Sequence, residues 1–453
     1  MSSNKATVND YLYCALLSIP WIAIQAIWQT EFGTVKDTMI HYGLNPDAAG
    51  LIWMFGPITG FFTAPLVGAY SDSCTSKFGR RRPFIVTGLL LTIIFSICFA
   101  AAEYAKGYQV FLGYISFVML DITINVMQTP VRALASDLAP AHMQSTVQLM
   151  AAGFQGLGSI IGFYIQKALG PGASLLSLFS IVMAINFVVI TGVCLLIKEP
   201  QHVPKENVEI SFTAPFTTVV KNVFAMDAKM AVVCAVEFCS WWALFFWWTD
   251  SSTWWKLTVY GGCITVSGND GPDSACPKGS AGDLAAQNGG SDYDSTGIYA
   301  NTIQTLLSIF VGSLVLFGLL KKVKYIYSLG LGIGGVLLIL LKFGPKSVGF
   351  AWIVTLAMPV AISVIQAFPF AIVGSYNKGN DGQDTGVQMG LLNLFICLPQ
   401  FLVTIITNGV QISDTTGLFI SGVALALGAI LALFITEVDL DDVPADVEGK
   451  TKA

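Results

Sequence analysis

The chain has 453 residues, of which 11% are charged, with a formal net charge of −5 and a mean hydropathy of +0.68. Soluble domains carry about 25% charged residues, so this composition excludes an ordinary soluble protein, and the lack of a basic surplus argues against nucleic acid as a partner. The length would suit two or three soluble domains, but apolar runs of membrane-spanning length recur from end to end, which predicts one all-α polytopic bundle in a lipid bilayer.

Polar residues Met1 to Asp10 lead directly into a long helix without a small-residue cleavage pattern, so no removable signal peptide is expected. Twelve transmembrane helices are predicted, at residues 9–31, 48–71, 83–103, 108–137, 143–168, 172–197, 226–257, 295–320, 324–342, 347–374, 385–408 and 413–436. They divide into two six-helix halves, 1–197 and 226–436, joined by a polar connection at 198–225 and followed by an acidic tail at 437–453. Alternate loops differ in charge. One set carries Lys77, Arg80, Arg81, Arg82, Lys198, Lys205, Lys221, Lys321, Lys322 and Lys324, and the other only isolated lysines such as Lys36, Lys106, Lys342 and Lys346. This asymmetry predicts cytoplasmic termini.

The first span carries Gln25, Trp28, Gln29 and Glu31. Trp28 has two readings, a wall of a polar site or an anchor at headgroup depth. Between the second and third spans lie Asp72 and the cluster Arg80, Arg81 and Arg82. These charges can pair across neighbouring helix ends and gate access, or serve topology alone.

The fourth span holds Asp121, Asn125, Gln128 and Arg132 at i, i+4, i+7 and i+11. At 3.6 residues per turn they share one helix face, and a polar stripe with a charge at each end must face a bundle interior or a watery cavity. The stripe points to movement of a polar solute. The eleven residues from Asp121 to Arg132 rise about 16 Å, so the two charges cannot touch. A desolvated carboxylate favours its protonated form, which suits Asp121 to take up and release a proton; the alternative is a packing hydrogen bond. Arg132 can bind solute or pair with Asp137, and the two amides can line a cavity or bridge helices.

The seventh span is dense in tryptophan, with Trp241, Trp242, Trp247, Trp248, Trp254 and Trp255 around Glu237 and Asp250. Most of these rings are expected to pack or to meet lipid. An outward loop at 261–293, rich in Gly, Asp, Ser and Asn, contains Cys263 and Cys276, for which a disulfide is expected in an oxidising compartment. The eleventh span repeats Gly386, Gly390, Asn393, Cys397 and Gln400 at helical spacing; the small residues allow close packing, and Asn393 and Gln400 can reach a cavity. No zincin, nucleophile-elbow, phosphate-loop or CxxC pattern occurs, so neither an enzyme nor a metal or organic cofactor is expected.

Ser71-Asp72-Ser73-Cys74-Thr75-Ser76-Lys77-Phe78-Gly79-Arg80-Arg81-Arg82-Pro83-Phe84-Ile85 closely resembles a signature of the proton-coupled sucrose transporter family, which includes plant sucrose carriers and their animal and fungal relatives. Leu51-Ile52-Trp53-Met54-Phe55-Gly56-Pro57 and Gln128-Thr129-Pro130-Val131-Arg132-Ala133-Leu134 resemble further family stretches, as do Thr249-Asp250, Tyr260-Gly261-Gly262 and Gly390-Leu391-Leu392-Asn393. The resemblance implies the major facilitator fold, with a monomeric carrier rocking one half against the other around a site near the midplane. It implies that Asp121 couples the proton and that Arg132 is needed for sugar transport. Gln25, Trp28, Gln29, Glu31, Asn125, Gln128, Asp250, Asn393 and Gln400 then become candidate sugar ligands: an indole face receives sugar C–H groups, and amides and carboxylates bind hydroxyls. The membrane expected is the plasma membrane, with the vacuolar membrane as alternative. Ser73 stands where the family has Arg, Ile124 where it has Asn, Thr129 where it has Gly and Pro46 where plant members have His, and Trp248 to Lys256 departs from the plant pattern. These departures bear on which sugar is carried. An uncoupled facilitator, separable through Asp121, and a sugar-sensing receptor, disfavoured by the short connection and tail, are the alternative functions.

Overall fold

The computed structural model describes residues 7–140, 143–170, 173–201, 223–263, 279–316, 323–376, 385–410 and 412–436, with Thr217, Lys221 and Cys276. The tail at 437–453 and most of the connection at 198–225 lie outside the described residues. Every regular element described is helical. The longer helices are α1 (Val8–Ser18), α2 (Pro20–His41), α3 (Phe55–Asp72), α4 (Arg82–Ala101), α5 (Gln109–Leu138), α6 (Gln144–Leu169) and α7 (Leu175–Leu196), followed by α8 (Ala228–Thr253), α9 (Ala281–Leu316), α10 (Val323–Phe343), α11 (Val348–Ala357), α12 (Pro359–Tyr376), α13 (Thr385–Gly409) and α14 (Asp414–Ala432).

Local chemistry sets the ends. Thr7 and Asp10 form a capping box at α1: the Thr7 hydroxyl accepts the Asp10 N–H at 3.3 Å and the Asp10 carboxylate accepts the Thr7 N–H at 2.8 Å. Pro20 opens α2 and breaks the first span at Ile19. Asp227 caps α8 by accepting the Met230 N–H at 2.9 Å.

Among the described residues, eleven spans are long and apolar enough to cross a membrane, with α1–α2 and α11–α12 each forming one broken span. The twelfth is α9, whose first turns carry Asp283, Asp292 and Asp294. Two predicted boundaries shift. The first span continues ten residues past 31, to His41, and α9 begins at Ala281, inside the predicted loop at 261–293. Ser280 supports that earlier start, its hydroxyl accepting the Asp283 N–H at 3.3 Å.

The helices pack in two groups, α1 to α7 and α8 to α14. Between the groups α6 meets α9 and α12, α3 meets α13, and α2 meets α8. Close approach along α6 depends on glycine. A Cβ at Gly158 would lie 2.8 Å from the Gln25 Cβ and one at Gly162 2.9 Å from the Gln29 Cβ, while one at Gly156 would overlap the Thr305 hydroxyl of α9.

Candidate functional site

The α5 stripe lies at the centre of the first group and is tied to α2 by a chain of hydrogen bonds. The Trp28 indole N–H donates to Gln128 Oε1 at 3.2 Å, Gln128 Nε2 donates to Asn125 Oδ1 at 2.8 Å, and Asn125 Nδ2 donates to the Asp121 carbonyl at 2.9 Å. The indole therefore points into the bundle toward α5. Asp121 is fully buried, and neither carboxylate oxygen has a hydrogen-bond partner among the described residues. Glycines make room beside it: a Cβ at Gly56 of α3 would lie 3.8 Å from both Asp121 oxygens, and one at Gly60 would lie 3.5 Å from both Asn125 Oδ1 and the Cys397 sulfur of α13.

Glu31 of α2 is equally buried and equally without a hydrogen-bond partner among the described residues, and it stands within electrostatic reach of Asp121. Two ionised carboxylates so placed would each lack compensation, at a cost of several kcal/mol per ion. At least one proton bound to the pair relieves both the desolvation and the repulsion.

The same faces of α2 and α8 carry rings. Phe32 packs on Trp28 at 6.0 Å between centroids, on Trp53 at 5.1 Å and on Trp248 at 5.4 Å, and Trp248 meets Trp241 edge-on at 5.6 Å. Trp241 donates its indole N–H to Glu237 at 2.9 Å, and the Tyr327 hydroxyl of α10 donates to the other carboxylate oxygen at 3.4 Å. Trp247, Trp254 and Trp255 are buried in packing. Arg132 reaches over the Trp21 ring at 4.8 Å and the Phe370 ring at 4.4 Å, a contact worth about 2 kcal/mol when desolvated.

The remaining candidates make other contacts. Gln25 and Gln29 lie on the α2 face that packs against the glycines of α6. Asn393 donates to the Cys397 sulfur at 3.8 Å, one helical turn away, and Gln400 is half-buried on α13. Asp250 is at the far end of α8, where it pairs with Lys36 of α2 at 3.0 Å and accepts the Thr249 hydroxyl at 2.6 Å. A second pair runs the opposite way, from Lys256 to Asp37 of α2 at 2.6 Å. Cys263 and Cys276 are joined by a disulfide at this same end. Tyr260 beside them donates its hydroxyl to Asp292, and burial together with that carboxylate pushes the hydroxyl up to about 12.

At the opposite end the arginine cluster pairs within the first group. Arg81 contacts Asp72 at 2.5 Å and Asp137 at 2.8 Å, and Arg80 also reaches Asp137 at 2.8 Å. Asp137 is thus engaged with Arg80 and Arg81, leaving Arg132 outside that network. Arg82 donates to the Cys194 and Ile197 carbonyls at 3.0 and 3.1 Å. Sequence reasoning missed Glu199. Its carboxylate accepts the backbone N–H groups of Arg80 at 2.9 Å, Arg81 at 2.9 Å and Arg82 at 3.2 Å, at the N-terminus of α4 where a negative charge is favoured. Gly79, at φ +95, brings the chain close enough that a Cβ there would overlap Glu199. The one signal available was an acidic residue directly after the sixth span, in Lys198-Glu199-Pro200.

A family model described as Major Facilitator Superfamily matches residues 12–261. Sucrose transport protein SUT4 of Oryza sativa subsp. indica is 32% identical over 164 residues, covering 31% of this chain and 26% of that protein. Sucrose transport protein SUC3 of Arabidopsis thaliana is 30% identical over 187 residues, or 36% of this chain and 30% of its own. The general alpha-glucoside permease of Schizosaccharomyces pombe is 24% identical over 257 residues, or 52% and 46%. The matches thus span between about a quarter and about half of the relatives' lengths. The crystal structure of the E. coli fucose:proton symporter superposes with a TM-score of 0.60 at 15% identity, covering 95% of this chain and 99% of that one, a likeness of fold.

Proposed function

The chain belongs to the major facilitator superfamily, and from that premise we propose that it is a sugar:proton symporter working by alternating access. The observation that carries the proposal is the Glu31–Asp121 pair: two fully buried carboxylates without hydrogen-bond partners among the described residues, beside a line of amides that ends on an indole. A proton held by the pair neutralises it. Sugar hydroxyls, which both donate and accept, satisfy the amides and the carboxylate oxygens together. Binding of proton and sugar is then linked, because each removes a cost that the other leaves.

Asp121 is the proton carrier, Glu31 its neighbour in the same site, and Asn125, Gln128, Trp28 and Arg132 the sugar-facing groups. Support for a sugar comes from the relatives' names, which specify sucrose transport and an alpha-glucoside permease. A sucrose-like disaccharide or a glucose-type sugar is the substrate class. The disulfide end faces outward and both termini face the cytoplasm of a plasma-membrane carrier, a placement supported by the arginine-rich loops at the other end. The state described is closed outward: the two reciprocal pairs, Lys36–Asp250 and Asp37–Lys256, bind α2 to α8 and the turn that follows it.

The test is uptake by the purified chain in proteoliposomes, with a panel of labelled sugars and with or without an inward proton gradient. Accumulation above equilibrium only with the gradient is expected. Uptake indifferent to the gradient makes the protein an uncoupled facilitator, and no uptake of any sugar overturns the substrate class.

A further inference from the structure

Glu237 lies fully buried within α8, far from either helix end, and two donors fix it there. Both donors, Trp241 and Tyr327, belong to the second helix group. An intramembrane carboxylate held this firmly needs a cationic partner or a proton. Among the described residues the cation within electrostatic range of it is Arg132, which belongs to the first group.

Arg132 is held in the opposite manner. Its guanidinium rests between the Trp21 ring of α2 and the Phe370 ring of α12, and it has no hydrogen bond or ion pair among the described residues. Ring faces attract the charge but accept none of the five N–H donors in the fixed fork of an arginine. Helix α12 connects the two sites. Phe368 packs edge-on against Tyr327, the donor to Glu237, at 5.7 Å, and Phe370, two positions on, carries Arg132. Pro369 stands between them and interrupts the helix hydrogen bonding, giving the two rings separate footing.

We propose that Glu237 is the counter-charge of Arg132 and sets its position: with the site empty, the carboxylate draws the guanidinium across the interface between the helix groups, and a bound sugar takes those donors instead. Glu237 is thus a positioning residue that competes with the solute. The assignment rests on the sugar-transport function proposed above. It supplies the empty carrier with a contact between the groups at the depth of Arg132, in a state that the outer ion pairs do not serve.

Two measurements test it. In the first, the purified full-length chain is melted in detergent without sugar, as wild type, Arg132→Gln, Glu237→Gln and the double variant. The double variant is expected to lose less than the sum of the two single losses; strictly additive losses overturn the pairing. Arg132→Lys with Glu237→Asp repeats the cycle for any Gln variant that does not fold. This readout needs no substrate, so a protein that takes up no sugar would sink the transport function and leave the charge pair standing. In the second, uptake of labelled sucrose, maltose and glucose is compared in proteoliposomes. Glu237→Gln is expected to lower KM several-fold for the sugar carried while slowing net uptake, with sugar-for-sugar exchange retained and Glu237→Asp close to wild type. A purely structural role would not tighten binding, and an unchanged or raised KM overturns the competition.

Discussion

Glu31 and Asp121 bury like charges on adjacent helices with no hydrogen-bond partner for either among the described residues. Such a pair is unstable as two anions and becomes tolerable on gaining a proton. Asp121→Asn keeps the shape and removes the site of protonation. The expected result is loss of gradient-driven accumulation with sugar-for-sugar exchange preserved, read by uptake and counterflow in the same proteoliposomes. Accumulation at the wild-type level would remove Asp121 from coupling. Melting of the variant is expected at or above that of wild type, since an uncompensated group has gone.

Trp28 offers both a ring face and an N–H, and the two separate by substitution. Trp28→Phe keeps the aromatic contact with Phe32 and deletes the donor to Gln128. One lost hydrogen bond is worth about 1 kcal/mol, so KM for the transported sugar is expected to rise about fivefold. Trp28→Ala removes the ring as well and is expected to cost more. Equal effects of the two substitutions would mean that the ring contributes nothing.

The neighbours Lys36 and Asp37 send opposite charges to Asp250 and Lys256. Lys36→Asp places two carboxylates together where a pair stood and is expected to cut uptake about tenfold, or 1.4 kcal/mol. Exchanging the charges, with Lys36→Asp and Asp250→Lys together, is expected to recover most of that loss. Failure of the exchange to recover any uptake would show that Asp250 acts on something other than Lys36.

Glu199 gathers three backbone N–H groups at the start of α4. Glu199→Ala strands them in a buried setting and is expected to destabilise the chain by about 2–4 kcal/mol, measured by thermal unfolding in detergent. Gly79→Ala acts on the same contact through a φ of +95 and an overlap with the Glu199 side chain, and is expected to cost about 1–3 kcal/mol.

Much of this architecture is legible along the sequence because membranes enforce it. Hydropathy marked twelve spans, eleven of which are long and apolar enough among the described residues to cross a membrane, and the period of an α-helix placed Asp121, Asn125, Gln128 and Arg132 on one face. What the sequence conceals is mostly contact between helices. Glu31 reads as a candidate sugar ligand through the family resemblance, and only the structure adds that its neighbour in space is Asp121, 90 positions later. Glu199 leaves little pattern because its closest partners are backbone groups, which every residue has. Asp250 reads as a site residue next to Thr249, yet its partner is Lys36 on another helix. The start of α9 hides in a run of Gly, Asp and Ser that has the composition of a loop and is held as a helix by its surroundings.

The glycines of α6 have a mechanical meaning. On one side Gly158 and Gly162 seat α2, and on the other Gly153 and Gly156 lie against Ser308 and Thr305 of α9, so a single helix touches both groups in part through bare backbone. Interdigitated side chains would have to climb over one another before the groups could shift. Under the alternating access proposed above, such glycine contacts let the groups glide with fewer rotamers to change, and α6 would serve as a bearing. A single methyl group added at Gly156 would act as grit, slowing the turnover of every substrate alike without altering which one is chosen.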